Sequence, residues 1–351
     1  MKNKFLKRGL ALLMAMTLMF SLTACGTKPN TENQPAGSSA TVNESTITLT
    51  DQAGREVKLD KPAETLVSCY YITTYATMAL GISDRVVGLE KKAETRPIYS
   101  MAAPELLKKT PVGTLKEFNV EATAELKPDL VLMPMKLSEY ADTLTELGIP
   151  VLVVNPESQE QMEEMLVLIA KACGVEENAE KLLDYYDKQL DKMENLTEDT
   201  KEPNVYMAGN SSYLTTAPGA MYQSDVIDLA GGENVAEDLE GDYWVDVSYE
   251  TILKANPEVI ILPGNAEYTK EDILNDKNLS DVTAVKNGAV YQMPQKLEEW
   301  DSPIPSGVLG VMWLTSVLHE DVYPFSEFQK DAADYYTTFY GFTVDNNLIT
   351  K

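Results

Sequence analysis

The chain has 351 residues, enough for two domains, and its 44% hydrophobic and 24% charged residues are an ordinary globular balance. The charge is not ordinary: 55 acidic residues face 29 basic ones for a net of −26, and removing the four cations of the first 24 residues (Lys2, Lys4, Lys7, Arg8) leaves about −30. Nucleic acid and anionic membrane surfaces would repel such a chain, so neither is expected as a partner. What is left is a solvated acidic surface or a basic docking partner.

Residues 1–24 read as a targeting segment. A basic start is followed by an apolar stretch over 9–22 that is too short and wrongly flanked to span a membrane. It ends Leu22-Thr23-Ala24-Cys25-Gly26, which resembles a bacterial lipobox, in which the Cys is lipidated and becomes the mature N-terminus. Such an anchor holds a protein on the outer face of the cell membrane without a spanning helix. Residues 25–45, rich in Gly, Thr, Asn, Pro and Ser, read as a flexible tether.

A first α/β lobe is expected over 46–157. Alternating runs at 46–50 and 56–59 flank turn residues and predict a hairpin. Strand-like segments follow at 66–69, 86–89, 130–133 and 151–154, with helical segments between them, including one over 138–147. That alternation predicts a parallel sheet. Residues 158–203 read as a helical connector. Ser158 to Gln161 fits a capping box, and Leu182, Leu183, Tyr186 and Leu190 sit at helical spacing in a run over 177–195. About 20 residues at 1.5 Å each span roughly 30 Å, enough to cross between lobes. A second α/β lobe is expected over 204–351. It has strands at 205–208, 214–216, 259–262 and 289–293, helices over 222–230 and 307–318, and a C-terminal helix packing Tyr335, Tyr336, Phe339 and Tyr340.

One unit occurs twice. Asn119-Val120-Glu121 precedes Pro128 and the apolar run 130–133; Ser248-Tyr249-Glu250 precedes Pro257 and the run 259–262. The two Glu residues are 129 positions apart, and so are the two Pro residues. Asn and Ser are good N-caps, each Glu falls in the first turn where an anion suits the helix dipole, Pro ends the helix, and the apolar run reads as a buried parallel strand. The spacing suggests two lobes of similar build, each presenting one carboxylate in an equivalent place.

With the lipobox, the twin units and the single bridging helix together, the chain resembles the substrate-binding lipoproteins of ABC importers for iron complexes and vitamin B12. The most specific pieces are residues 126–132, residues 256–261, Gly231-Gly232-Glu233-Asn234, and residues 300–314. The resemblance implies an α/β fold of two Rossmann-like lobes joined by one long helix, with the ligand in the cleft between them and little closure on binding. It implies that Glu121 and Glu250 meet arginines on the permease subunits, which work with a cognate ATPase.

In parallel α/β lobes ligands sit beyond the carboxyl ends of the strands. Residues on such loops, or on nearby loops and helix starts, are Tyr70, Tyr71, Tyr99, Lys136, Tyr213, Tyr222, Tyr243, Trp244 and Trp300, with Ser302 and Ser306 as further donors. Aromatics with polar handles suit a bulky metal chelate or tetrapyrrole. Trp300 is expected to face the cleft. Arg96 is the one expected cleft arginine, and Ser306 stands where many relatives carry a basic residue, which speaks against a strongly anionic ligand. With His319 as the lone histidine, a three-His site for bare zinc or manganese is impossible within the chain. Cys69 and Cys173 read as packing residues, with a bridge between them left open. No cofactor is expected. A ferric siderophore is the first choice of ligand, a corrinoid or haem the second, and an oxyanion such as molybdate the third. The competing classes are an enzyme on a two-lobed scaffold and a surface sensor; the enzyme lacks a nucleophile–base pair, a phosphate loop and a Cys–His arrangement.

Overall fold

The computed structural model describes residues 46–241 and 243–351. The expected targeting segment and tether lie outside the described residues.

The chain opens with the antiparallel hairpin β1 (Ile47–Thr50) and β2 (Glu56–Leu59), closed so that Thr50 faces Glu56. The first lobe continues through β3 (Leu66–Ser68), α1 (Tyr71–Ala79), β4 (Val86–Leu89), α2 (Pro97–Ala102), β5 (Thr110–Pro111), α3 (Val120–Glu125), β6 (Leu130–Pro134), α4 (Ala141–Glu146) and β7 (Val151–Val154). Five of these strands form one parallel sheet, ordered β5-β4-β3-β6-β7. Every residue of β3, β6 and β7 is buried, as their unbroken apolar runs demand of a sheet covered on both faces. The helix expected over 138–147 begins instead as a 3-10 turn, Met135–Tyr140, before α4.

Two helices carry the chain across. In α5 (Gln159–Cys173) the Ser158 hydroxyl accepts from Gln161 N–H, as expected, but the Gln161 side chain accepts from Glu157 N–H rather than closing a box on Ser158. Gly174, in the left-handed region at φ 65°, ends α5. Then α6 (Glu176–Thr197) runs 22 residues, about 33 Å, with Ala179, Leu182, Tyr186, Leu190 and Met193 as its buried stripe.

The second lobe contains β8 (Asn204–Met207), β9 (Thr215–Thr216), α7 (Tyr222–Leu229), β10 (Glu233–Asn234), β11 (Val245–Asp246), α8 (Tyr249–Ala255), β12 (Val259–Leu262), α9 (Lys270–Leu274), α10 (Thr283–Asn287), β13 (Val290–Gln292), α11 (Val308–Leu318) and α12 (Phe325–Phe339). Its parallel sheet is ordered β10-β8-β12-β13, and β9 pairs antiparallel with β11.

Alternation along the strands divides the core. Leu66, Leu130, Leu132 and Leu152 join one large cluster with Tyr186, Met207, Ile261 and Trp313, so a single core runs through both lobes and α6. Val67, Val131, Val151 and Val153 face a separate cluster on the other side of the first sheet, and Ile260, Leu262 and Val290 do the same in the second. Tyr186 of α6 donates to the carbonyls of Ile304 and Pro305, tying the crossing helix to the loop that precedes α11.

Candidate functional site

The carboxyl ends of β3, β6 and β7 open into a cleft of about 240 Å³ that the second lobe closes from the other side. The first lobe contributes Tyr70 and Tyr71 after β3, Met135 and Lys136 after β6, and Asn155 to Glu157 after β7. The second lobe contributes Met221 to Gln223 at the start of α7, Tyr243 and Trp244, and Ser302 and Pro303. Lys136 and Glu157, both exposed, are the charged residues on this wall, and they cancel. Lys136 Nζ sits 5.9 Å from the centre of the Tyr243 ring, so cation and aromatic face each other across the mouth. The Tyr70 and Tyr71 rings meet edge to face at 4.6 Å, and the Tyr71 hydroxyl donates weakly to Ser302 Oγ at 3.4 Å. Burial raises both phenols above the usual tyrosine range, for Tyr71 with help from the neighbouring Tyr70 and Glu299, so both remain neutral near pH 7.

Arg96 stands behind this wall rather than on it. Its guanidinium makes a 2.6 Å ion pair with Glu299 and lies 3.7 Å above the centre of the Tyr71 ring. The Tyr75 hydroxyl donates to the other Glu299 oxygen at 3.0 Å. Arg96 therefore clamps the two lobes together beside the cleft, with its charge already matched.

Several expected cleft residues lie elsewhere. Trp300, expected to face the ligand, is 1% exposed. Its Nε1 donates to the Tyr336 hydroxyl at 2.9 Å, and its ring meets Phe328 edge to face at 5.7 Å. Its backbone also lies close against α11: a Cβ placed on Gly310 would lie 2.3 Å from the Trp300 carbonyl oxygen. Tyr336 and Tyr340 both donate to Glu298, whose carboxyl burial pushes up to about 7. Tyr99 is fully buried and donates to Glu90, because α2 turns it toward the core and not the cleft. Tyr213 donates to Asp276 at 2.9 Å and packs on Tyr268 away from the cleft. Tyr222 borders the cleft with its first turn of helix, but its hydroxyl is turned inward against Gly307. Ser306 is buried. The structure thus brings together Tyr70, Tyr71, Lys136, Tyr222, Tyr243, Trp244 and Ser302, and leaves Tyr99, Tyr213, Trp300, Ser306 and Arg96 off the cleft wall.

Gln223 and the segment 155–157 also line the cleft, and the sequence reading does not single them out. The strand-end rule that picks out Tyr70 and Lys136 applies equally after β7 and would have found Asn155 and Glu157. Cys25 lies outside the described residues. Cys69 and Cys173 are buried free thiols. His319 is buried and donates to the Gly231 carbonyl. Among the described residues no group of three or more His, Cys, Asp or Glu is placed to hold a metal ion, and no helix is long and apolar enough to cross a membrane.

The twin units are equivalent in detail. Asn119 Oδ1 accepts from Ala122 N–H at 2.9 Å and Ser248 Oγ accepts from Thr251 N–H at 3.2 Å. Glu121 and Glu250 stand exposed in the first turns of α3 and α8. The match goes further than the spacing of those residues. Lys127 and Asn256, again 129 apart, are both left-handed at φ 48° and 45°. Asp129 and Glu258 each accept from the backbone N–H at the start of the neighbouring strand, Thr65 before β3 and Asn204 in β8. Despite its burial, hydrogen bonds from the Thr65 side chain and from Glu64 and Thr65 N–H hold Asp129 below the usual carboxylate range; Lys201 and Asn204 N–H do so for Glu258.

Comparison with known proteins agrees with this architecture. The family described as periplasmic binding protein matches residues 66–297. The molybdate-binding protein MolA of Haemophilus influenzae is 26% identical over 321 residues, covering 83% of this chain and 90% of that protein. The uncharacterized ABC transporter substrate-binding lipoprotein YvrC of Bacillus subtilis is 27% identical, covering 89% of this chain and 96% of that protein. A periplasmic solute binding protein from Veillonella parvula superposes with a TM-score of 0.74 at 26% identity, over 87% of this chain and 95% of that one.

Proposed function

The chain belongs to the periplasmic binding proteins, the siderophore and B12 group of ABC-importer substrate-binding proteins, and from that premise we propose that its cargo is a bulky, weakly charged metal chelate, foremost a ferric siderophore. It is a binding protein and not an enzyme. The observation that carries the reading is the cleft wall: aromatic surface from both lobes, with one cation and one anion in balance. A neutral ferric hydroxamate would lay its apolar rim on Tyr70, Tyr71 and Trp244 and leave its polar edge to Lys136 and Ser302. Arg96 is engaged by Glu299 and adds no free charge for a polyanion. A corrinoid would suit the same wall, and haem less well for its two carboxylates.

A dianion such as molybdate is the second reading. It is favoured by the likeness to MolA and by the first turn of α7, which opens on the cleft without a side-chain cap. Titrating the mature chain with ferrioxamine, cyanocobalamin, haem and molybdate decides between them. Tight binding of the ferric chelate is expected, and binding of molybdate alone would refute the chelate reading.

Lipidation of Cys25 is part of the proposal, since it would keep the protein near its permease on the outer face of the membrane. Cys25→Ala should take up no labelled fatty acid; label retained at the parental level would remove the anchor from this account.

A further inference from the structure

Gln223 is the second residue of α7, lies on the cleft wall and is 8% exposed. Its Nε2 donates to the Asp301 carbonyl at 2.7 Å. That bond decides which end of the amide is which, because the opposite orientation would set oxygen against oxygen. Oε1 is left as a pure acceptor, covered and without a hydrogen-bond partner among the described residues. Buried acceptors are nearly always paired, and an orphan on a binding wall calls for a reason. The Tyr222 hydroxyl is also covered and unpartnered, but it is turned inward against Gly307, so Gln223 Oε1 is the orphan that belongs to the cleft wall.

We infer that Gln223 is a specificity-determining residue whose Oε1 accepts a hydrogen bond from an amide N–H or hydroxyl on the rim of the bound chelate. The inference rests on the chelate reading of the cleft and narrows it. The oxygen is covered as well as unpartnered, so the ligand parts the wall to reach it. A ligand that offers only acceptors gains nothing from Gln223 and meets like partial charge there. Molybdate falls in that class. Ferrioxamine and cyanocobalamin, which carry amide N–H groups, do not.

Two variants separate this role from simple support of the loop at Asp301. Gln223→Leu removes both the acceptor and the bond to the Asp301 carbonyl. Gln223→Glu keeps an acceptor and loses that bond, and the cost of the carboxylate charge it adds at this covered position is read in its thermal melt. The parent and both variants are titrated with ferrioxamine, cyanocobalamin and molybdate, and each preparation is melted thermally; Gln223→Met replaces the Leu variant should the latter not fold. For the amide-bearing chelate that the parent binds, the Leu variant is expected to bind about ten-fold more weakly and the Glu variant within a few-fold of the parent. Equal losses in the Leu and Glu variants, or no loss in the Leu variant, would overturn the role of Gln223 while leaving chelate binding in place. A parent that binds molybdate alone, or none of the three, would overturn the inference and the chelate reading together.

Discussion

The indole N–H of Trp300 donates to Tyr336, and the Tyr336 hydroxyl donates in turn to the buried Glu298 carboxyl. Trp300 therefore holds up a polar chain inside the core as well as filling volume there. Truncating it would leave a cavity and take from the Tyr336 oxygen the N–H it accepts. Large-to-small changes of this kind cost about 3–5 kcal/mol for Trp→Ala. Trp300→Ala should accordingly show that loss in urea unfolding, while the folded fraction binds ligand within a few-fold of the parent. Stability near that of the parent, with affinity down ten-fold or more, would return the indole to the cleft. The same reasoning ranks the aromatics that do reach the wall: Trp244 is half-buried there and Tyr243 is 58% exposed at its rim. A partly buried ring with one free face is the better platform for a large ligand.

At the level of elements, what was legible followed from local rules. An N-cap, a first-turn acid, a stopping Pro and an unbroken apolar run are each fixed by neighbours a few residues away, and α3–β6 and α8–β12 matched their expected places. Parallel sheets followed from the alternation of such runs with helices. The direction of side chains on loops did not follow, because loops have no period to read. Ser302 and Trp300 are two residues apart on one loop, yet one lines the cleft and the other is buried against Phe328 and Tyr336 of α12. Those contacts, and the close approach of Gly310 in α11 to the Trp300 backbone, join positions that no local pattern connects. Tyr99 differs for a similar reason: its partner Glu90 belongs to another segment and is itself buried. Edge strands of two residues, β5 and β10, and the short helices α9 and α10 are set by their neighbours in the fold more than by their own composition. Thr269, by contrast, forms a full capping box with Asp272, a device fixed by residues three apart and therefore legible in the local sequence.

At the scale of the whole molecule, the two lobes are bound together at three levels. One core passes through both, α6 crosses between them, and the Arg96–Glu299 pair with the Tyr75 hydroxyl pins the loop of one lobe to the helices of the other. A body so tied presents Glu121 and Glu250 at a nearly constant span, as receptors on two separate permease subunits would require. Both carboxylates are exposed, each at the start of a helix, and the backbone around each is fixed by equivalent contacts. A guanidinium meeting each would form charge-assisted hydrogen bonds, among the stronger polar contacts a surface makes. Reversing both charges, Glu121→Lys with Glu250→Lys, should therefore stop uptake of cargo by cells while the purified protein binds that cargo within a few-fold of the parent. Changing the net charge of a strongly acidic protein could also slow its encounter with a basic partner, whatever the site. A control pair on exposed positions, Glu139→Lys with Glu180→Lys, makes the same change in net charge and should leave uptake near normal. Normal uptake by the Glu121 and Glu250 double variant, or equal loss in the control pair, would show that these two carboxylates only complement their helix dipoles.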